Sequence, residues 1–362
     1  MYTIIDYSIY TAKAELPYNI ADATHTLTEL SFIVLRIQVS NGVIGESYLL
    51  SFQYSPEAIV GALKDIGSLV VGEQVHDTIK VLKKADEASE YFGKEGINRW
   101  AQGAFNIAMW DAWGKILGQP IWKLWGVSVN KVPVYGSGGW LSYSIEELIA
   151  EVKAYKDRGF KAVKIKVGKP DWREDLERLR LVREAVGNNV DIMMDANQGM
   201  TVSNALLLAR AARDLNIQWF EEPIDHTDFQ GYQFLRNQAG ISLAMGEREY
   251  SMVPLRELLI RNAIDIWQPD ILRLGGVEGW KASAALAQSY GILVLPHYYK
   301  DYDVPLLCTI PNGAGAESFD WIDPLIDHPL EISNGMAKPR TEPGWGFQFK
   351  DQFLTQIFKY RE

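Results

Sequence analysis

The sequence predicts an α/β fold whose larger part is a modified (β/α)8 TIM barrel. Short apolar runs typical of β-strands recur seven or eight times after Val132, at intervals of 22–30 residues, with amphipathic helical stretches between them. This alternation indicates parallel strands joined by crossover helices, and eight such units close into a barrel of roughly 200–250 residues. An open doubly wound sheet is the alternative. No glycine-rich GxGxxG motif follows a strand, which disfavours the nucleotide-binding form of that sheet.

The chain before Val132 has different patterns. Apolar and polar residues alternate over the first 50 residues, which predicts antiparallel strands, and Asn41-Gly42-Val43 is a hairpin turn signal. From Pro56 to about Leu124 the apolar residues recur with helical spacing. Gly118 ends the longest of these helical stretches. The N-terminal third is therefore predicted to combine a small antiparallel sheet with helices.

The barrel prediction depends on seven apolar segments and the helices between them. Ser144 and Glu147 form a capping-box pattern at the start of the first barrel helix. The predicted strands are residues 132–137, 161–167, 190–195, 217–221, 241–246, 264–269 and 291–296.

Composition excludes several classes of protein. The 362 residues are 47% hydrophobic and 23% charged, which is typical of a globular protein rather than a disordered one. The net charge of −10 argues against nucleic acid or an anionic membrane as partner, and one cysteine, Cys308, excludes an intramolecular disulfide. The N-terminus does not resemble a signal peptide and no apolar run is long enough to span a membrane. We expect a soluble cytoplasmic protein that forms a homo-oligomer. A small anionic substrate is not excluded by the net charge, because local charges decide its binding.

An ionisable residue lies in or directly after nearly every predicted barrel strand. A strand buried on both faces is not expected to carry charge, whereas the carboxyl ends of barrel strands converge at one mouth, where active sites lie. We therefore predict that these side chains form one site. They are Lys164, Lys166, Asp195, Glu221, Glu247, Asp270 and His297.

Three of these residues are carboxylates on consecutive βα units. Asp195, Glu221 and Glu247 are spaced by 26 and 26 residues. Gathered at one mouth, they would repel one another unless a cation neutralised them. Ligand sets made only of oxygen favour Mg²⁺ or Mn²⁺, whereas Zn²⁺ would be expected to recruit Cys or His.

The other ionisable residues suit proton transfer. Lys164 and Lys166 are i and i+2 of one strand and therefore point to the same side. Beside each other and a cation, their pKa values are expected to fall, which would make a lysine base possible at neutral pH. His297 and Asp270 end adjacent strands, and a carboxylate on one imidazole nitrogen would leave the other nitrogen as a base.

The chain resembles the enolase superfamily, mandelate racemase subgroup, in a set of motifs spread over nearly its whole length. The segment 109–126 is also similar to the helix that joins the two domains of that family. The resemblance implies an α+β capping domain (1–125), a modified barrel (126–328) and a tail that returns to the capping domain (329–362). The motifs are Lys164-x-Lys166, Asp195-Ala-Asn197, Glu221-Glu222-Pro223, Gly246-Glu247, Gln268-Pro269-Asp270 and His297.

The resemblance also implies roles for these residues. Asp195, Glu221 and Glu247 would bind one Mg²⁺ per subunit, with Mn²⁺ as a possible substitute. Lys166 and His297 would be acid/base groups on opposite faces of the substrate, with Asp270 orienting His297. Lys164 would hold the substrate carboxylate, and Glu317 would hydrogen-bond the carboxylate or the enediolate. The implied chemistry is removal of the proton α to a carboxylate of a small-molecule substrate, with an enediolate intermediate stabilised as its charge grows.

The fate of the enediolate is left open by these residues. Expulsion of a β-hydroxyl gives dehydration, and reprotonation on the other face gives racemisation or epimerisation. Ser137-Gly138-Gly139 and the segment around Glu317 resemble the acid-sugar dehydratases, which favours dehydration of an aldonate or aldarate to a 2-keto-3-deoxy acid. The candidate substrate-binding residues are Asn197, Trp140, Arg248, Tyr298 and His25, the last on a possible lid formed by residues 16–30.

Two other function classes are alternatives to this interpretation: a metal-dependent hydrolase barrel and a catalytically inactive binding protein on the same fold. Metal-dependent hydrolase barrels generally use several His ligands, often as an HxH pair, and no HxH occurs here. A catalytically inactive binding protein on the same fold would typically have lost Lys166, His297 or a metal ligand, and all of these are present.

Overall fold

The computed structural model describes residues 1–16 and 18–361. The strands are β1 Ile4–Ala14, β2 Ile20–Ala21, β3 Thr26–Leu27, β4 Leu30–Val39, β5 Ile44–Leu50, β6 Val132–Gly138, β7 Ala162–Lys166, β8 Asp191–Asp195, β9 Ile217–Glu221, β10 Ser242–Met245, β11 Ile266–Trp267, β12 Leu293–Val294, β13 Ala316–Ser318, β14 Ile332–Ser333, β15 Met336–Ala337 and β16 Thr355–Lys359. The helices are α1 Pro56–Val70, α2 Thr78–Ala88, α3 Ile97–Leu117, α4 Ile121–Leu124, α5 Ile145–Asp157, α6 Trp172–Val186, α7 Val202–Ala211, α8 Phe229–Gln238, α9 Met252–Ile260, α10 Val277–Ser289 and α11 Lys300–Leu307.

Strands β6 to β13 form the predicted barrel. Strands β6 to β12 pair in sequence order, all parallel, and one helix lies between each strand and the next. The circle closes because Val294 bridges to Gly313 and β13 then pairs with β6, with Ala316 opposite Val134. The barrel is confirmed, but β11 and β12 are only two residues long, and the eighth strand, β13, was not among the predicted segments.

A four-stranded antiparallel sheet and helices α1–α3 form the capping domain. The strand order is β16-β1-β4-β5, so the last strand of the chain pairs with the first, Ser8 opposite Lys359. The tail after the barrel thus returns to the N-terminal sheet, while the residue numbers of the three parts remain a prediction. None of the helices formed by the described residues is long and apolar enough to cross a membrane.

Asp111, buried in the middle of α3, joins three parts of the chain. Its carboxylate accepts the backbone N–H of Glu46 on β5 at 2.9 Å and that of Trp345 in the tail at 3.0 Å, and Lys115 pairs with it at 2.6 Å. Gly45 allows β5 to approach this helix closely, because a Cβ there would lie 2.1 Å from the carbonyl oxygen of Ala108. The packing fixes the edge strand β5 over the barrel.

Two tyrosines fasten that edge strand to the barrel segment that carries His297. The backbone N–H of Tyr48 donates to the Tyr302 hydroxyl at 3.0 Å, and that of Leu50 donates to the Tyr299 hydroxyl at 3.1 Å. Both hydroxyls are buried and use N–H groups that an edge strand would otherwise leave unpaired. These two hydrogen bonds therefore fix the position of the capping domain relative to one wall of the barrel mouth.

Candidate active site

One cavity of about 390 Å³ lies where the carboxyl ends of the barrel strands meet the capping domain. Of the thirteen residues predicted for the site, the cavity is lined by Lys164, Lys166, Asn197, Glu247, Asp270, His297, Glu317, Trp140, Arg248, Tyr298 and His25. Asp195 and Glu221 do not line it, but both are buried in contact with the two lysines. The strand ends thus bring the predicted residues together.

The two lysines of β7 point to the same side, as their spacing predicted. Lys164 Nζ lies 2.7 Å from Glu221 Oε1 and 2.7 Å from Glu317 Oε1, and Lys166 Nζ lies 2.5 Å from Asp195 Oδ2. Burial lowers the pKa of each lysine, but the surrounding carboxylates raise it more. As a result, the pKa of Lys164 lies well above its ordinary value, and the pKa of Lys166 is also raised. The expected fall in the lysine pKa supposed a cation beside the lysines. With Asp195, Glu221 and Glu317 as their partners, the lysine pKa rises instead, because these carboxylates outweigh burial and the second lysine.

The three predicted metal ligands are each turned towards a cation of the protein. Glu247 is buried, and its carboxylate lies 3.5–3.7 Å from Arg248, Arg273 and His297. Burial raises the pKa of Glu247, but these three groups and Lys166 lower it more. Over residues 1–16 and 18–361, no group of three or more His, Cys, Asp or Glu side chains is placed to hold a metal ion as it stands. The assignment of ligands therefore stays a prediction.

The chemistry of this carboxylate cluster nevertheless fits a hard divalent cation. Burial raises the pKa of Glu221, and the nearby carboxylates of Asp195, Glu317 and Glu247 add to this, so that its pKa is about 7 despite contact with Lys164. The contact with Lys164 thus does not offset burial and the neighbouring carboxylates at Glu221. The Oδ1 atom of Asn197 is buried beside this cluster with no hydrogen-bond partner among the described residues. Clustered carboxylates and further oxygen donors are the ligands that Mg²⁺ prefers.

His297 and Asp270 form the pair that was predicted from adjacent strands. His297 Nδ1 lies 2.9 Å from Asp270 Oδ2, and Asp270 Oδ1 accepts the backbone N–H groups of Leu272 and Arg273 at 2.9 and 3.0 Å. Burial lowers the pKa of His297, but Glu247 and Asp270 outweigh it, and the pKa is raised. The carboxylate is rigidly held, so the imidazole presents Nε2 as its free nitrogen.

Glu317 is held by three donors on different elements. Its carboxylate accepts the hydroxyl of Ser137 at 2.6 Å and the backbone N–H of Tyr298 at 2.9 Å, and Lys164 is its ion-pair partner. Burial raises its pKa, but Lys164 and His297 lower it more, to about 2. Glu317 is therefore ionised. Tyr298 provides this N–H from a left-handed backbone conformation, with φ of 66°.

The predicted substrate-binding residues differ in how free their side chains are. Arg248 Nε donates to Glu222 at 3.0 Å, so its guanidinium already has a buried carboxylate partner. Trp140 packs below the Lys166 ammonium, which lies 5.3 Å from the ring centroid, and forms a wall with Phe319 and Trp321, whose rings are 4.3 Å apart. The aromatic residues thus both pack together and face the cavity.

The lid segment, residues 16–30, contains a small hairpin; Pro17 lies outside the described residues. Strands β2 and β3 pair in it, and the Leu141 N–H donates to the Ala21 carbonyl at 2.7 Å. The Ala23 methyl lies against Gly168 and Gly199, where an added Cβ would come within 2.7 and 2.3 Å of it. The hairpin is therefore seated on the barrel, and its segment lines the cavity through Asp22, His25 and Leu27.

Three further residues of the site were not assigned a role from the sequence. Gln268 Nε2 donates to Glu221 Oε2 at 2.7 Å, Arg273 donates to the Glu247 carbonyl, and Glu222 is a buried partner of Arg248. Gln268 and Glu222 lie inside the motifs Gln268-Pro269-Asp270 and Glu221-Glu222-Pro223, so their positions gave a signal. Arg273 follows its strand by several residues and carried none.

Comparison with known proteins gives matches over both domains. Residues 4–126 match the family model described as "Mandelate racemase / muconate lactonizing enzyme, N-terminal domain", and residues 147–353 match "Enolase C-terminal domain-like". The chain is 31% identical over 327 residues to the L-talarate/galactarate dehydratase of Salmonella typhimurium LT2, covering 90% of this chain and 82% of that protein. It is 30% identical over 336 residues to the arabinonate dehydratase of Saccharolobus solfataricus, covering 89% of each.

A solved structure agrees with these matches. The crystal structure of the Salmonella L-talarate/galactarate dehydratase, liganded with Mg and L-lyxarohydroxamate, superposes with a TM-score of 0.94 at 28% identity, covering 99% of this chain and 94% of that one. Both domain models, the 31% identical relative and this superposition lead to one assignment. The chain belongs to the mandelate racemase/muconate lactonizing enzyme family of the enolase superfamily.

Proposed function

We propose that the protein is a Mg²⁺-dependent enzyme that removes the proton α to a carboxylate and dehydrates an acid sugar to a 2-keto-3-deoxy acid. The observation that carries this proposal is the content of one cavity. Lys166 and the Asp270-oriented His297 enter it from strands that are not neighbours, and Lys164 and Glu317 lie beside it. Two proton-transfer groups around one carboxylate-binding end are what α-proton abstraction requires.

Asp195, Glu221 and Glu247 are the residues that would hold the metal ion. Bound there, Mg²⁺ would supply Lewis-acid stabilisation for the negative charge that develops on the substrate carboxylate. With these carboxylates engaged, Lys164 would lose Glu221 and Lys166 would lose Asp195 as partners at 2.5–2.9 Å, while Lys164 would keep Glu317 at 2.7 Å. The two ammonium groups would then be available to the substrate.

Proton abstraction needs a base at the α-carbon and donors for the enediolate. Lys164, buried and charged, is placed to hold the substrate carboxylate, and its charge stabilises the enediolate as it forms. Either Lys166 or His297 takes the α-proton, depending on the configuration of the substrate. Lys166 can do so only as the neutral amine, which requires that Asp195 no longer raise its pKa. Because Glu317 is fixed by Ser137 and the Tyr298 N–H, it limits how the substrate carboxylate can lie. An ionised Glu317 has no proton to donate, so the hydrogen bond to the substrate carboxylate or enediolate that the resemblance implies requires its protonated form.

Departure of the β-hydroxyl needs a proton donor. His297 suits this step because Asp270, held by two backbone N–H groups, stabilises the imidazolium form. Dehydration is also supported by the relatives at about 30% identity, which include dehydratases of talarate/galactarate and of arabinonate. Racemisation or epimerisation is the second candidate, because Lys166 and His297 can each serve one face of the same α-carbon.

The two candidates differ in what the substrate must contain. We expect turnover of a C5 or C6 aldonic or aldaric acid to a 2-keto-3-deoxy acid, measured by carbonyl derivatisation across a panel of acid sugars. We expect little turnover of α-hydroxy acids that lack a β-hydroxyl, such as mandelate. A panel that gives no keto product, together with inversion of an α-substituted acid, would replace dehydration by racemisation on the same site.

The metal can be tested independently of the substrate. If the carboxylate cluster holds Mg²⁺, chelation is expected to abolish activity and added Mg²⁺ to restore it. The melting temperature is expected to rise with Mg²⁺, because a ligand at about 100 times its Kd stabilises the folded state by about 2.7 kcal/mol. Glu221→Gln should remove the Mg²⁺-dependent rise. Glu177→Gln, a surface variant on α6, should keep it. Full activity of a metal-stripped sample would refute the site.

A further inference from the structure

The two parts of the cavity lining differ in charge. The barrel contributes Lys164, Lys166, Arg248 and Arg273, whereas the capping domain, over the described residues, contributes no Lys or Arg to the lining. Its one formal charge is negative, on Asp22. If the substrate carboxylate lies against Lys164, as the proposed function has it, the remainder of the substrate extends towards this capping side.

The capping side is also largely apolar. It is formed by Leu27, Leu50, Phe52, Ile59 and Ile97, with a few hydroxyl groups between them. Three of these side chains are buried in the described structure and are not free to turn away from the cavity. A charged group placed there would lose water without gaining a partner.

His25 is the one capping-side group that could gain a positive charge. Its Nδ1 lies 2.7 Å from the Thr24 hydroxyl and 3.5 Å from Asp22 Oδ1. Asp22 Oδ1 also accepts the backbone N–H groups of Thr24 and His25, so it is fixed beside the ring. A protonated His25 would therefore be compensated by Asp22 and would not present a free charge to a ligand.

The two arginines of the barrel each have a protein partner, although the buried Arg273 Nε has none among the described residues. Arg248 Nε pairs with the buried Glu222 at 3.0 Å. Arg273 donates to the Glu247 carbonyl, and its guanidinium lies 5.5 Å from the centroid of the Trp100 ring. A bound metal would free the two lysines at the carboxylate end. It would also engage Glu247, which lies 3.6–3.7 Å from the two arginines, but all four of these cations belong to the barrel and not to the capping side.

We infer that the cavity accepts an acid sugar with a single carboxylate, an aldonate whose far end is a hydroxymethyl or methyl group, in preference to an aldarate with a carboxylate at each end. The inference rests on the proposed function for the position of the first carboxylate. The relative named for talarate and galactarate is thereby named for diacids, and the inference sets the substrate of this chain apart from them. The inference agrees with the relative named for arabinonate, which is a monoacid.

The test uses triplets of substrates that differ only at the far end. Galactonate, 6-deoxygalactonate and galactarate share one configuration, and equivalent triplets exist in the manno, gluco and talo series, each in D and L form. Dissociation constants are measured by isothermal titration with Lys166→Ala protein and Mg²⁺, and kcat/KM for keto product with the unchanged enzyme. In every series that binds, we expect the monoacids to bind at least about 10-fold more tightly than the diacid.

A second pair of variants tests the charge argument itself. Ser55 is exposed at the capping-side rim of the cavity and its side chain makes no capping bond to α1. Ser55→Arg should therefore fold normally and shift the ratio of monoacid to diacid affinity at least about 3-fold towards the diacid. Ser55→Gln, of similar reach without charge, should leave the ratio unchanged. Equal ratios in both variants would contradict the placement of the far end.

The outcomes separate this inference from the proposed function. Diacid binding equal to or tighter than monoacid binding overturns the inference, and keto product from that diacid would leave dehydration standing. Tighter monoacid binding without keto product in any series would support the inference and reject dehydration. Absence of monoacid binding in all series would overturn the inference as well.

Discussion

Replacing Lys166 with alanine is expected to lower kcat for keto-acid formation by about 10²–10⁴-fold, the usual contribution of a general acid/base group. The Lys166 ammonium is buried at the cavity and bound to Asp195, whereas the other lysine of β7, Lys164, is held by Glu221 and Glu317. The measurement is single-turnover carbonyl formation with an acid sugar whose α-configuration presents the proton to Lys166. Lys161→Ala, an exposed lysine just before the same strand, is the matched control and should keep full activity.

A structural role for Lys166 would give a different pattern. Lys166→Arg keeps a positive charge beside Asp195 but places there a group that is not deprotonated in proteins. If Lys166 transfers a proton, Lys166→Arg should be as inactive as the alanine variant while its melting temperature stays near that of the unchanged protein. Activity of Lys166→Arg within about 10-fold of the parent would mean that the residue supplies charge alone.

Much of the barrel and of its mouth could be predicted because both follow from local rules. Alternation of side chains along a strand put Lys164 and Lys166 on one side, and the phase of charged residues at strand ends placed His297 next to Asp270. The sequence also contained the clear end of α3 at Gly118, which has a φ of 64°. These features require only neighbours along the chain or the common direction of parallel strands.

The features that could not be predicted from the sequence depend on contacts between distant segments of the chain. The rise of the lysine pKa comes from the carboxylates of Glu221 and Asp195, which are 57 and 29 residues away along the chain from the lysines they bind. The eighth strand, β13, has three residues and is defined by pairing with β6 rather than by any periodicity. No sequence pattern indicates that the Tyr299 and Tyr302 hydroxyls accept hydrogen bonds from the backbone of β5. Only the folded chain reveals such long-range partners.

Replacing Asp270 with asparagine is expected to remove the basicity of His297 without removing the imidazole. The two backbone N–H groups of Leu272 and Arg273 bind Asp270 Oδ1 and would keep the amide oxygen of the variant in that place. The amide NH₂ then faces His297 Nδ1 and must donate to it, which moves the ring proton to Nε2. The nitrogen that faces the substrate can no longer accept a proton.

Solvent deuterium exchange at the α-carbon measures this effect one face at a time. For substrates that present their α-proton to His297, exchange should fall by about 10²–10⁴-fold in Asp270→Asn and in His297→Asn. For substrates of the opposite α-configuration, which present the proton to Lys166, both variants should keep exchange within about 10-fold of the parent, and this face is the internal control. Asp265→Asn, on the outer side of the barrel before β11, should leave both faces unchanged. A base confined to one side of the α-carbon can affect only the proton on that side. Equal loss of exchange on both faces in His297→Asn would therefore show that the histidine supports the structure of the site, or that one base serves both configurations.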